Sequence, residues 1–482
     1  MEIRDRLFIG GDLVEPAGTG TIEVINPATE EVMGRAPDAT EADVDRAVAA
    51  ARAAFDEGPW PTMTVDDRAD VLAKAADNLR NRQDEISSLI TQEMGSPISF
   101  SMLAQAFAPV MLLDYYIGLA RGLVVEEVRS GVLGTSLVRR EPVGVVGAIV
   151  PWNVPMYVTM SKLAPALVAG CAIVLKPAPE TPLDAYILAE AFAEAGLPKG
   201  VLNIVSAGRE VGEHLVKHPD VDKISFTGST AAGKRIMSLC GEQLKRVSLE
   251  LGGKSAAVIL DDADLDTTIP GLLPNSMMNN GEACVAQTRI LAPRDRYQEV
   301  VDRLVEAVRA MPVGDPMDPA TQIGPLVASR QRDRVEGYIA IGQEEGAKVA
   351  IGGGRPAGAD KGWYVEPTVF VGVDNKMRIA QEEIFGPVVA VIPYDGEAEA
   401  VRIANDSSYG LSGTVWTADP ARGVDVARRV RTGTYTVNGF VLDFATPFGG
   451  FKQSGIGREL GPEGLEEYLE LKSVNLPAGY TP

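Results

Sequence analysis

Cysteine and histidine are scarce in this chain, with three copies of the first and two of the second in 482 residues. Cys171, Cys240 and Cys284 cannot form the disulfide framework of a secreted domain, so a reducing, cytoplasmic setting is expected. His214 and His218 stand four apart on an expected helix, but the glutamate of a metalloprotease helix is missing between them. With no Cys or Asp cluster to complete a site, no metal centre is expected, and both read as surface histidines. The same shortage, with no Gly-x-Ser-x-Gly elbow, excludes an ordinary Ser-His-Asp hydrolase. Positive charge is also in deficit: 45 Lys and Arg face 66 Asp and Glu, a net charge of −21. Nucleic acid and anionic membranes are therefore poor partners, because phosphate binding needs a positive surface. Charges, Pro or Gly interrupt every apolar run, so no membrane span is expected. The charged first ten residues lack the apolar stretch of a signal peptide.

What is present is the composition of a soluble globular protein, 45% apolar and 23% charged, long enough for two or three domains. Thr40 and Asp43 resemble a capping box, and Val44, Val48, Ala51 and Phe55 follow at helical spacing. Helical pattern continues to about residue 120. From residue 144 the texture changes. Apolar runs at 144–150, 171–175, 202–205, 223–226 and 255–260 read as buried strands. Helical stretches near 157–169, 182–195, 210–217 and 230–240 separate them. Such alternation predicts crossover units and a parallel sheet, with ligands at the carboxyl ends of the strands. Asn153, Lys176 and Gly228 fall at those ends. A second α/β block follows residue 260. Segments 123–141 and 471–477 read as a hairpin and a strand, able to form an arm against a neighbouring subunit.

The chemistry is carried by short motifs. Cys284 follows the small residues Asn279-Asn280-Gly281-Glu282-Ala283, a setting for an exposed nucleophile, whereas Cys171 and Cys240 read as core. Glu250 lies in the Gly-punctuated Leu249-Glu250-Leu251-Gly252-Gly253-Lys254. A thiol nucleophile with a distant carboxylate base points to covalent catalysis and hydrolysis of a thioester. In Pro151-Trp152-Asn153 the amide is suited to donate to an oxyanion, although a simple turn also explains the motif. Lys176, held by flanking prolines, is free to meet a hydroxyl, a phosphate or solvent. Phe226-Thr227-Gly228-Ser229 enters a helix whose N-terminal N–H groups suit a pyrophosphate. Arg235 replaces the Ser or Thr of a P-loop, which argues against a nucleotide triphosphatase. The glycine spacing of Gly455–Gly461 is one too long for a dinucleotide fingerprint, so that segment reads as a structural loop.

Together these motifs resemble the NAD(P)-dependent aldehyde dehydrogenase family, essentially from end to end. The matching pieces also include Glu-Glu-Ile-Phe-Gly-Pro at 382–387 and Pro-Phe-Gly-Gly-Phe-Lys at 447–452. The resemblance implies two Rossmann-like parallel-sheet domains plus a small β oligomerisation arm. The cofactor-binding domain is expected over 1–122 and 142–256 and the catalytic domain over 257–453. Segments 123–141 and 454–482 are expected to bridge subunits of a dimer or tetramer. By the same resemblance Cys284 attacks an aldehyde, Asn153 and the Cys284 N–H hold the oxyanion, and Glu250 activates the hydrolytic water. Lys162 and Glu459 match positions that relay its proton. NAD would be held by Trp152, Lys176, Pro179, Gly228, Ser229, Gly252, Glu383 and Phe385, with NADP possible because Pro179 replaces a ribose-gripping Glu. Glu282 replaces a Gln and would add an acid near the site. Val154, Ser161, Val285 and Phe448 leave an open, apolar substrate pocket without an arginine, which suits a medium or bulky apolar aldehyde. The alternative is a coenzyme-A-acylating semialdehyde dehydrogenase, against which Glu250 favours water as acceptor.

Overall fold

The structure, a computed structural model, describes residues 2–478 and Tyr480. Five strands lie parallel in the order Arg246–Glu250, Lys223–Thr227, Val145–Ile149, Ala172–Lys176, Leu202–Ile204. Every residue of Val145–Ile149 and Ala172–Lys176 is buried, as strands covered on both faces must be. Helices Val65–Arg80, Ala108–Arg121, Pro155–Ala169 and Asp184–Glu194 pack one face through Leu72, Leu113, Met160 and Leu188. Helices Glu41–Asp56, Arg209–Lys217 and Thr230–Gln243 pack the other through Val48, Leu215 and Ile236. The expected capping box opens the first of these, with the Thr40 N–H donating to Asp43 Oδ2 at 2.8 Å. Antiparallel strands close the sheet at both edges, Leu7–Ile9 with Asp12–Val14 at one and Gly455–Ile456 at the other.

A second sheet runs Lys348–Ile351, Thr368–Val371, Val388–Tyr394, Arg289–Pro293, Ala256–Ile259, Gly413–Trp416, Thr436–Val437, parallel except for its first strand. The α/β class with two Rossmann-like sheets is thus observed. The apolar run at 255–260, grouped with the first sheet on sequence, sits in the second, between Arg289–Pro293 and Gly413–Trp416. Its place in the first sheet is taken by Arg246–Glu250, whose alternating pattern hides a strand. The glycine pair after Leu251 carries the chain from one sheet to the other.

The expected hairpin and tail pair with each other as an antiparallel arm of Glu126–Gly131, Gly134–Pro142 and Leu469–Asn475. Only the last part of segment 454–482 lies there. Gly455–Ile456 joins the first sheet, and Leu460, Leu465 and Tyr468 pack into its core. Met1, Gly479, Thr481 and Pro482, which fall in the segments assigned on sequence, lie outside the described residues. Two features were not expected. Residues before Thr40 form a small sheet of Glu2–Ile3, Glu31–Pro37 and Thr21–Asn26. And the helical run Ile98–Arg121, of mean hydropathy 1.4, is long and apolar enough to cross a membrane by length and composition. Here it serves as a core helix, burying Val110, Leu112, Leu113 and Tyr116 against the first domain.

Candidate active site

Sheet ends supply one wall of a cavity of about 660 Å³ between the two domains. Asn153 follows Val145–Ile149, Gly228 follows Lys223–Thr227, and Glu250 ends its strand, so three carboxyl ends converge as the topology requires. The second domain contributes Cys284, Val285, Glu383 and Phe385 to the same cavity. Trp152, Val154, Ser161, Ser229, Gly252, Phe448 and Glu459 also line it. Lys162, Lys176 and Pro179 do not.

Cys284 is half-buried and sits after a backbone segment that is pinned rather than flexible. Asn279 and Asn280 have φ of 53° and 61°, a left-handed conformation that asparagine tolerates and few other side chains do. The Asn280 amide donates to the Gly95 and Pro325 carbonyls, both at 2.9 Å, and accepts from the Gly324 N–H at 2.7 Å. Asn279 accepts from Ser96 Oγ at 2.7 Å and donates to the Asn153 carbonyl at 2.8 Å. Gly281, at φ +74°, completes the run. A Cβ there would stand 2.1 Å from the Gly386 backbone, so only glycine fits. Cys284 is therefore held by a rigid turn. Burial, with Glu383 and Glu250 adding negative field, pushes its thiol up to about 12. Among the described residues no Lys or Arg figures among the main influences on the sulfur, so an added positive group would favour ionisation.

Asn153 is buried and its Nδ2 donates to the Glu282 carbonyl at 2.8 Å, which leaves the second amide hydrogen for the cavity. Glu282 itself does not reach the site. Its carboxyl is fully buried, with Oε1 accepting from the Val327 N–H at 3.2 Å and Oε2 without a partner. Burial holds this group well above the usual carboxylate range, so it is a neutral acid that substitutes closely for glutamine. The acidic group expected near the site is thus buried and stands outside the cavity lining.

Two carboxylates share the deep end. Glu250 is buried and its Oε2 has no partner; burial and then Glu459 hold its pKa well above normal, while Lys162 and Arg458 oppose this. Glu459 is fully bonded, Oε1 to Lys162 Nζ and Oε2 to Ser161 Oγ at 2.8 Å. Lys162 Nζ also donates to Thr227 Oγ1 at 2.7 Å. Thr227 was not singled out on sequence, although it lay inside a motif that was.

At the other end Phe385 meets Trp152 edge-on at 5.4 Å, held at φ +66° by Gln331 Nε2, which donates to its carbonyl at 2.5 Å. Glu383 Oε1 accepts from the Gly253 N–H at 3.0 Å, and Arg334 donates to the Glu383 carbonyl at 2.5 Å. Gln331 and Arg334 lie on helix Ser329–Glu344, and no local sequence signal marks them. A Cβ on Gly252 would meet Glu383 Oε2 at 2.7 Å, so glycine keeps this cradle open. Ser229 caps helix Thr230–Gln243, its Oγ accepting from the Ala232 N–H at 3.3 Å. Nearby, Lys234 donates to Gln453 at 2.9 Å and Arg235 pairs with Glu213 at 2.8 Å, so neither is poised as in a P-loop. Lys176 is buried and donates to the Pro177 and Ala207 carbonyls at 2.8 and 2.9 Å; burial pushes it down to about 8. Pro179 is half-buried in the same loop, and the neighbouring Glu180 pairs with Arg330. His214 bonds Asp45 at 2.6 Å, and among the described residues no group of His, Cys, Asp or Glu is set to hold a metal.

The model of the aldehyde dehydrogenase family matches residues 13–474. Geranial dehydrogenase of Castellaniella defragrans is 51% identical over 471 residues, covering 98% of both chains. The structure of a Mycobacterium tuberculosis aldehyde dehydrogenase complexed with NAD+ superposes with a TM-score of 0.98 at 54% identity, covering 100% of this chain and 99% of that one. A mutant of aldehyde dehydrogenase C from Pseudomonas syringae, complexed with NAD+ and octanal, gives 0.94 at 40% identity, covering 99% and 98%. With a full-length family match and half its residues shared with such relatives, the chain belongs to the aldehyde dehydrogenase family.

Proposed function

We propose that this protein oxidises apolar aldehydes to carboxylic acids with NAD+, through a thioester on Cys284 that water hydrolyses. The observation that carries this reading is the convergence of Cys284, Asn153 and an unpartnered Glu250 on one cavity. The residues present fit the cofactor. The Gly252 cradle facing Glu383, the Phe385–Trp152 pair and the Ser229 helix cap offer room, ring contacts and N–H donors where its ribose, nicotinamide and pyrophosphate would lie. When bound, NAD+ supplies a hydride acceptor and a positive ring charge near the thiol.

The chain's own residues do the rest. That added charge favours the Cys284 thiolate, which forms a bond to the aldehyde carbon while the carbonyl oxygen becomes an oxyanion. The free Asn153 amide hydrogen and the Cys284 N–H hold it. After oxidation the acyl group remains on sulfur. Glu250 takes a proton from water, hydroxide adds to the acyl carbon, and the thiolate leaves as the acid forms. In this reading Glu459, held by Ser161 and Lys162, receives the proton from Glu250. The apolar lining from Val154, Val285, Phe440, Leu442, Phe444 and Phe448 supports an apolar substrate, and Ser161 leaves space where a larger side chain would fill it. Geranial and octanal, named for the relatives, are aldehydes of that kind. The antiparallel arm supports a homo-oligomer.

Reduced-cofactor absorbance, followed with NAD+ and apolar aldehydes in the absence of coenzyme A, tests the reading. Turnover that disappears in Cys284→Ala is expected. Turnover only with coenzyme A would defeat it.

A further inference from the structure

The cavity does not end at its lining. Helix Ile98–Arg121 borders it through Phe100, Leu103, Ala104 and Ala108, and an apolar stripe leaves it along the same helix. Leu103, Phe107 and Met111 recur every four residues and are 64%, 49% and 40% exposed. Residues four apart share a helical face. The segment Ser101–Phe107 is π-helical, a rare form found frequently at functional sites. From Met94 to Leu113 the sequence holds no charged residue at all, although the chain is 23% charged. Between the lining residues Phe440 and Leu442, Val441 is 59% exposed, and Asp443, two residues on, accepts from the Ala445 N–H at 2.9 Å.

We infer that Leu103, Phe107 and Met111 form an outer subsite that holds the tail of a long-chain apolar aldehyde whose head reacts at Cys284. The stripe continues from a cavity that already handles the head, so the chain emerging from that cavity meets it first. Eight residues at 1.5 Å each make it about 12 Å long, enough for several methylenes beyond the pocket. No Lys or Arg lies along the stripe to pair with an anionic headgroup or an acidic partner. The inference rests on the aldehyde-oxidising reading above and specifies its substrate class as extended rather than compact.

The test is a series of straight-chain saturated aldehydes from hexanal to dodecanal, with NAD+, on wild type and Phe107→Ser/Met111→Ser. The readout is the ratio of kcat/KM for dodecanal to that for hexanal. In wild type each methylene seated on the stripe is expected to add about two- to fourfold. In the double variant the ratio falls about tenfold, and in the milder Phe107→Ala about threefold. An unchanged ratio, or an equal fall for both aldehydes, overturns the subsite. A smaller assembly of the double variant by light scattering, with the ratio unchanged, overturns it too and makes the stripe a contact between copies. Silence of wild type toward every aldehyde would instead remove the enzymatic reading itself.

Discussion

The wall around Cys284 and the wall built by helix Ile98–Arg121 face the same cavity and are stabilised in opposite ways. Around Cys284, polar groups are fixed by hydrogen bonds to backbone from distant segments, as with Asn279, Asn280 and Glu383. Two buried acids there, Glu250 and Glu282, stand without a full set of partners, at a cost in stability of about 1–3 kcal/mol each. Along the helix wall the stretch from Met94 to Leu113 holds no charge, and apolar side chains are left in water. One wall carries unsatisfied polarity, the other unsatisfied hydrophobic surface. Each is a liability in the free protein that a bound molecule relieves, which is why both mark function.

The largest effect that separates the walls is expected at the thiol. Cys284→Ala should lower turnover by about 10⁴-fold or more while leaving the fold intact, read by steady-state rates and circular dichroism. Next comes Glu250→Gln, with an expected loss of about 10²–10⁴-fold in steady-state turnover. A single-turnover burst of reduced cofactor should survive, because the base acts after oxidation; a lost burst would show that Glu250 serves the first half-reaction. Since its raised pKa leaves the base protonated at low pH, wild-type turnover should rise with pH through that pKa, a limb absent from the variant.

Smaller effects are expected away from the reacting groups. Ser161→Leu removes the bond to Glu459 and fills space in the pocket, so kcat/KM for bulky aldehydes should fall about tenfold relative to small ones. A proportionate loss for every aldehyde would mean that the Ser161–Glu459 bond matters and the volume does not. The smallest change is expected at Glu282. Its acid is neutral in the fold and ionises on unfolding, so native protein binds the extra proton and stability declines as pH rises above the unfolded value. Glu282→Gln should therefore add about 1–2 kcal/mol near pH 8 and little near pH 4, measured by thermal or denaturant unfolding.

The same contrast explains what was legible beforehand. Strands such as Val145–Ile149 and Ala172–Lys176 announce themselves because burial on both faces demands a continuous apolar run. Arg246–Glu250 was missed because an edge-proximal strand ending in a functional acid breaks that run. Cys284, Glu250 and Asn153 were readable as reactive side chains in unusual company. Gln331, Arg334 and Thr227 were not, because their chemistry is ordinary until packing brings them to Phe385, Glu383 and Lys162. Glu282 read as an added acid near the site, and only the fold shows it buried, bonded to the Val327 N–H and outside the cavity lining.

By itself the sequence determined the alternation of buried strands and amphipathic helices, the left-handed turn that Asn279, Asn280 and Gly281 permit, and which side chains are candidates for the reaction. These depend on local sterics and on residue chemistry, which travel with the chain. The tertiary structure alone decided which sheet each strand joins, that Glu459 and Lys162 meet from positions nearly 300 residues apart, with Glu459 and Glu250 lining one cavity, and that the charge-free stretch from Met94 to Leu113 borders the cavity of Cys284. Distance in space, dielectric and proton affinity arise only when separate segments exclude water together, so no single stretch of residues could specify them.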